Sequence, residues 1–250
     1  MRRGNSLRCL ARLLIAGLIF LILSTGGQSA TSAGNADGPE IIDPVLLWPL
    51  HINIPYTIVH LVDADATATV ILRIDESGSV IDWVALDLPH YDLIRPLDRA
   101  FQSARFQPAM MDGEAVLIDI VVDVPVGEVG YYGIINLDPA TYLEIKLNRM
   151  SGGLYGLRVA PGHALDEPLK LISEGKPVVF IDEAGNRVSG EQEVEFYIDQ
   201  DGIPRVVRSD QEDDPFLRDA AHQTVEQFRF APPRCNGRPT VVKARIKVQF

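Results

Sequence analysis

The sequence contains a weak copy of itself. Displaced by 124 residues without a gap, residues 67–126 fall on 191–250, and ten of the 60 positions are identical. The matches include Ile74/Ile198, Asp75/Asp199, Gly78/Gly202, Arg105/Arg229, Phe106/Phe230, Pro108/Pro232 and Gly113/Gly237. Their placement constrains the fold more than their number does. They fall at turns and element ends, where backbone geometry leaves few residue choices. Upstream, Pro44 matches Pro168. The chain therefore reads as a first unit at 44–126, a connecting segment at 127–167 and a second unit at 168–250.

Both units run through the same order of periodicities. In the second, Gln192, Val194, Phe196 and Ile198 alternate with Glu191, Glu193, Glu195 and Tyr197. That period of two predicts a half-buried strand. The turn Asp199–Gly202 leads to a short strand at 203–209. Asp214-Pro215 then supplies an N-cap and a first-turn proline, and Leu217, Ala221, Val225 and Phe228 recur at helical spacing. The helix stops before Phe230-Ala231-Pro232. A last strand at 240–250 places Val242, Ala244, Ile246, Val248 and Phe250 on one face. The first unit repeats this with strands at 67–75 and 79–86, a helix from Asp92 to Ala104, a break at Pro108 and a strand at 115–124.

The expected fold class is α+β. Each of the two tandem β-β-α-β units would be a three-stranded antiparallel sheet with one helix on one face, enough to close a small core. A right-handed crossover puts the last strand beside the first. In the second unit the outward faces of those strands carry Glu191, Glu193 and Glu195 against Lys243, Arg245 and Lys247. Antiparallel neighbours would pair these charges across the sheet. The alternative is two separately solvated faces.

The amino terminus has another character. Arg2, Arg3, Arg8 and Arg12 precede the uncharged run Leu13–Leu23, and small residues follow through Ala33. This is a secretory signal pattern at 1–30, followed by a flexible linker at 31–43. The run is 11 residues, short against the roughly 20 that span a bilayer. Retention as a signal anchor is the alternative to cleavage. Without residues 1–30 the Lys+Arg count falls from 23 to 19 against 34 acids, a net charge of −15. Such a chain repels nucleic acid and anionic lipid. Cys9 lies in the leader, which leaves Cys235 with no partner for an internal disulfide.

Little in the sequence points to catalysis. Ile-Asp-x-x-Gly occurs at Ile74–Gly78, Ile181–Gly185 and Ile198–Gly202. An aspartate that bonds its own turn, with glycine at a positive φ, makes a hairpin corner. A calcium loop would need further alternating acids and a distal glutamate. Ser173-Glu-Gly-Lys176 has the S-x-x-K spacing of penicillin-binding enzymes but no K-T-G companion. The histidines at 51, 60, 90, 163 and 222 show no metal-ligand spacing. No catalytic residue, metal ligand, cofactor or small-molecule substrate is assigned. In the connecting segment a strand is expected at Tyr131–Leu137 and a helix from Asp138-Pro139 to Met150, although its Tyr142, Leu143, Ile145, Leu147 pattern also suits a strand. A further strand is expected at Pro177–Ile181.

Read this way, the unit resembles the C-terminal domain of the TonB family, whose outline TolA shares. The residues that carry the resemblance are Ile198–Gly202, the helix at 214–228, Phe230-Ala231-Pro232 with Gly237, and a final strand ending at Phe250. In the first unit they are Ile74–Gly78, Phe106-Gln107-Pro108 with Gly113, and Val116–Val124. The resemblance implies a non-enzymatic, exported protein of the cell envelope, periplasmic, or anchored in the inner membrane if the signal stays. It implies binding of a protein or peptide partner, such as an outer-membrane receptor, by strand addition. Energy-coupled outer-membrane transport is the associated role. A periplasmic scaffold module without energy coupling is the alternative. The strand edge maps to Val241, Lys243, Arg245, Lys247 and Gln249, and secondarily to Val116–Asp123, where Asp119 and Asp123 replace the basic stripe. A hydrolytic site in 127–167 is a third reading, which triad geometry at Ser173 or Cys235 would support.

Overall fold

Two aspartate–glycine corners organise the backbone in the computed structural model. It describes residues 40–55, 58, 62–63, 65–127, 155–174, 181, 187, 189–209 and 215–250. The leader, most of the linker, the two elements expected within 131–150 and most of the Ile181–Gly185 corner lie outside the described residues.

At the first corner, Asp75 Oδ1 accepts from the backbone N–H groups of Ser77 (3.0 Å) and Ser79 (2.8 Å). At the second, Asp199 Oδ1 accepts from Asp201 (3.0 Å) and Ile203 (2.9 Å). Gly78 and Gly202 close these turns at φ of +78° and +81°. A second constraint also selects glycine there. Phe106 donates its N–H to the Gly78 carbonyl at 2.8 Å, and Phe230 donates to that of Gly202 at 2.9 Å. A Cβ at Gly78 would stand 1.8 Å from the Phe106 carbonyl oxygen, and one at Gly202 would stand 2.0 Å from that of Phe230. The Phe-x-Pro stretch after each helix is thus laid across the preceding hairpin corner.

The principal strands are β1 (Thr67–Ile74), β2 (Val80–Leu88), β3 (Ile118–Pro125), β4 (Leu157–Ala160), β5 (Glu191–Ile198), β6 (Pro204–Arg208) and β7 (Val241–Gln249). Helix α1 spans Ile94–Ser103 after a 3-10 turn at Tyr91–Leu93, and α2 spans Pro215–Glu226. Proline opens α2 where its missing N–H costs nothing. The described part is α+β, mostly strand, with two α-helices. β1 pairs antiparallel with β2 and β3, and β5 pairs antiparallel with β6 and β7. In both segments the strand after the helix lies beside the strand before the first corner.

The expectation of separate three-stranded sheets gives way to one mixed sheet, ordered β6-β5-β7-β4-β2-β1-β3. The joint is β4, a product of the connecting segment. It runs parallel to β7 through Val159↔Val241 and Ala160↔Val242, and antiparallel to β2 through Leu157↔Leu88 and Arg158↔Asp87. Four residues suffice because Leu157 and Ala160 bury in the joint while Pro161 ends the strand. The last strand of the first segment is also interrupted. Glu114–Val116 forms a hairpin with Ala109–Met111, and β3 starts only at Ile118.

Two apolar cores result. One holds Val70, Leu72, Ile74, Leu97 and Phe101, and also Val206 and Val241 from the second segment. The other holds Val194, Phe196, Ile198, Val207, Ala221 and Val225. Val206 and Val207, adjacent in β6, enter different cores.

Candidate functional site

The expected edge residues lie on β7. Phe250 donates its N–H to Gly190 O at 3.0 Å, and the register pairs Val248 with Gln192 and Ile246 with Val194. In an antiparallel ladder hydrogen-bonded positions alternate. Even-numbered residues of β7 therefore bond to β5. The backbone N–H and C=O groups of Val241, Lys243, Arg245, Lys247 and Gln249 point to the opposite edge. β4 occupies that edge at Val241 and Val242. Among the described residues no strand pairs with it from Lys243 to Gln249.

The side chains of this stripe are engaged on the sheet face. Lys243 reaches Glu195 at 2.7 Å, and Lys247 reaches Glu191 at 2.7 Å. Arg245 bridges Glu193 and Glu195, both at 3.1 Å. The charges therefore pair across the sheet. The hydrogen bond from Lys247, then that from Gln249, holds the Glu191 carboxyl below its usual range. Burial works against the Glu195 carboxylate, but Lys243 and Arg245 outweigh it and hold it low. Exposed pairs of this kind add little stability, because water and salt screen them. Val241 differs from the other four because it is fully buried in the first core.

A second edge, at β3, has no partner strand among the described residues. Val126 donates its N–H to Ala66 O at 2.9 Å, so by the same alternation Asp119, Val121 and Asp123 turn their backbone groups away from β1. β3 ends the sheet, and Val121 is 64% exposed. Asp119 is held by Arg73 Nε at 2.8 Å and Arg208 Nε at 2.6 Å. Burial would raise its pKa, yet the hydrogen bonds and charges of the two arginines bring it below the ordinary value.

The outer strand at the other end, β6, is docked instead. Its register advances from Tyr197↔Arg205 to Glu195↔Arg208, so Val206 and Val207 together oppose Phe196. This bulge holds Val206 at φ +50°, a costly conformation for a β-branched residue. The first segment stabilises it. Asp82 Oδ2 accepts the Val206 N–H at 2.6 Å, and Asp82 Oδ1 accepts from Arg205 at 3.3 Å. Arg205 also donates from Nε to Asp199 Oδ2 at 2.9 Å. No sequence pattern announces this contact between residues 124 positions apart.

Other candidates occupy structural places. Cys235 sits half-buried in the hairpin made by Arg234–Cys235 and Arg238–Pro239, whose turn N–H groups at Asn236 and Gly237 donate to Asp166, both at 2.7 Å. His90 is buried and its ring stacks on Tyr91 with centroids 5.0 Å apart. His222 Nε2 lies 2.8 Å from Ser209 Oγ, a pair the sequence reading missed. Burial, then the charge of Arg73, holds its imidazole below the usual pKa. Ser173 is exposed on a short strand, and Lys176 lies outside the described residues. Among the described residues no three His, Cys, Asp or Glu side chains converge as metal ligands. Nor, there, is any helix long and apolar enough to cross a membrane.

The geometry defines a class first: an α+β sheet protein with two strand edges left unpaired among the described residues. The comparison with protein families then adds that residues 182–250 match the model of the Gram-negative bacterial TonB protein C-terminal. This stretch, containing β5, β6, α2 and β7, is similar to that domain. The match does not extend to residues 44–126. No match was found among curated proteins or solved structures.

Proposed function

We propose that the protein is an exported, non-enzymatic component of the cell envelope that binds a protein or peptide partner by strand addition. The observation that carries this reading is the half-open edge of β7, in the segment similar to the TonB C-terminal domain. An extended peptide laid there would meet the backbone groups of Lys243, Arg245, Lys247 and Gln249. Main-chain bonding would supply affinity, and side-chain pockets would supply selectivity.

The two segments are read as copies of one β-β-α-β design. Equivalent residues making equivalent bonds support this. Arg105 donates to the carbonyls of Gln102 and Ala104, and Arg229 donates to those of Glu226 and Phe228. Asp112-Gly113 and Asn236-Gly237 form turns with positive φ at both residues. On this reading β3 is the counterpart of β7, and its edge is the acidic equivalent of the basic one.

The test is capture of a partner from envelope extracts. Arg245→Pro deletes an outward N–H while leaving the β5 ladder intact, and should abolish capture. Arg245→Ala, which keeps the N–H and loses only the ion pairs, should retain it. Equal capture by both variants, each with a native thermal melt, would refute strand addition at this edge. A scaffold role is the second reading. It is favoured by β4 covering Val241–Val242 and by the docked edge of β6. A scaffold's partner would be indifferent to both substitutions.

A further inference from the structure

We infer a second binding surface, a groove between the two segments that takes an extended peptide carrying carboxylate side chains. The groove encloses about 860 Å³ between α1 of the first segment and the Gln200–Asp201 turn, Pro232, Arg234 and Pro239 of the second. A smaller recess of about 350 Å³, lined by Trp83, Asp98 and Arg205, adjoins it and shares Ile94, Arg95, Arg99, Gln200 and Asp201.

Its ligand chemistry follows from which side chains already have partners. Asp98 accepts from Trp83 Nε1 at 3.0 Å and from Gln102 at 2.9 Å. Asp199 closes its own corner and binds Arg205. Asp201 accepts from Gln200 at 2.7 Å. Asp92 lies beside the ring of His90 at 3.8 Å. Arg95 and Arg99 are different. They stand one turn apart on the exposed face of α1, and among the described residues neither has an ion-pair or hydrogen-bond partner. Residues four apart share a helix face, so both guanidinium groups serve the same groove. Each offers a planar fork matched to a carboxylate. Tyr91, Pro96, Pro232 and Pro239 supply the rigid apolar walls that an extended chain packs against.

This placement also has a selective consequence. The rest of the molecule is strongly acidic. An acidic peptide is repelled by much of such a surface and is favoured where arginines without partners converge. The groove draws residues from both segments, so it exists only while they are docked.

The probe is a fluorescein-labelled peptide alternating glutamate and proline, titrated by fluorescence anisotropy at low and at raised salt. The full protein should bind it in a salt-sensitive manner. Arg95→Glu with Arg99→Glu should weaken binding at least about tenfold. The thermal melt should stay unchanged because both side chains are exposed. Lys243→Glu on β7 should leave binding unaltered, which separates this surface from the strand edge. A glutamine–proline peptide should bind far less. No binding at millimolar protein, or equal binding by the double variant, would overturn the inference. So would a loss caused by Lys243→Glu alone.

Discussion

Replacing Gly78 by alanine isolates the physical reason for the Ile-Asp-x-x-Gly corner. Gly78 and Gly113 have almost the same backbone, with φ of +78° and +86°. For an L-residue that conformation costs about 1–2 kcal/mol. Their surroundings differ. A Cβ at Gly113 meets nothing within 4 Å, whereas one at Gly78 falls 1.8 Å from the Phe106 carbonyl oxygen. Backbone atoms cannot approach that closely, so the Phe106 strand must retreat. Retreat breaks the 2.8 Å bond from the Phe106 N–H to Gly78 O, at about 1 kcal/mol. It also draws the buried Phe106 ring out of the first core, which forfeits part of the roughly 3–5 kcal/mol that truncating a core phenylalanine costs. The sum is about 4 kcal/mol for Gly78→Ala against about 1 for Gly113→Ala. In a chain of this size 1 kcal/mol shifts Tm by about 2–4 °C. Thermal melts should therefore fall by about 3 °C for Gly113→Ala and by more than about 8 °C for Gly78→Ala. Gly202→Ala and Gly237→Ala form an independent matched pair in the second segment and should behave alike. Equal shifts within either pair would refute the close-approach argument and leave only backbone conformation.

Two further outcomes follow from the docked face between the segments. Asp82→Ala removes the acceptor of the Val206 N–H and should destabilise by about 2–3 kcal/mol, with the loss of hydrogen-exchange protection concentrated at Val206. Uniform loss along β6 would show that the bulge does not depend on Asp82. Asp119 has a folded pKa below its unfolded value because Arg73 and Arg208 overcome its burial. A carboxylate shifted this way adds stability above its unfolded pKa and loses it as pH falls through the folded one. The stability difference between the protein and Asp119→Asn should be full near neutrality and shrink below about pH 4. A constant difference from neutral to acid pH, in denaturant melts, would remove Asp119 from the acid response.

Much of each segment was legible before any coordinates. Strand β5 and its partner β7 followed from a period of two, and their glutamate and basic stripes pair as opposite charges on antiparallel neighbours must. The corners at Asp75 and Asp199 followed from turn chemistry, which involves residues only two to four apart. The helices followed from spacing and proline, with ends shifted by one to two residues. The same local rules failed at Leu157–Ala160. Four residues in a long connection have too little periodicity to announce a strand, still less one parallel to β7 and antiparallel to β2.

The candidate surfaces divide along the same line. The sequence alone determined which residues of β7 share a face, because side-chain direction alternates with chain position. It also determined that an aspartate and a glycine turn the chain at each corner. Only the tertiary structure decided that Val241 is covered while Lys243 to Gln249 meet no strand at that edge among the described residues. It alone decided that Asp82 serves Val206 and that Arg95 and Arg99 overlook the second segment. These contacts join residues about a hundred positions apart, and their geometry depends on how two cores share one sheet. Local pattern records the choices a residue makes with its near neighbours. It carries no record of which distant surface will lie against it.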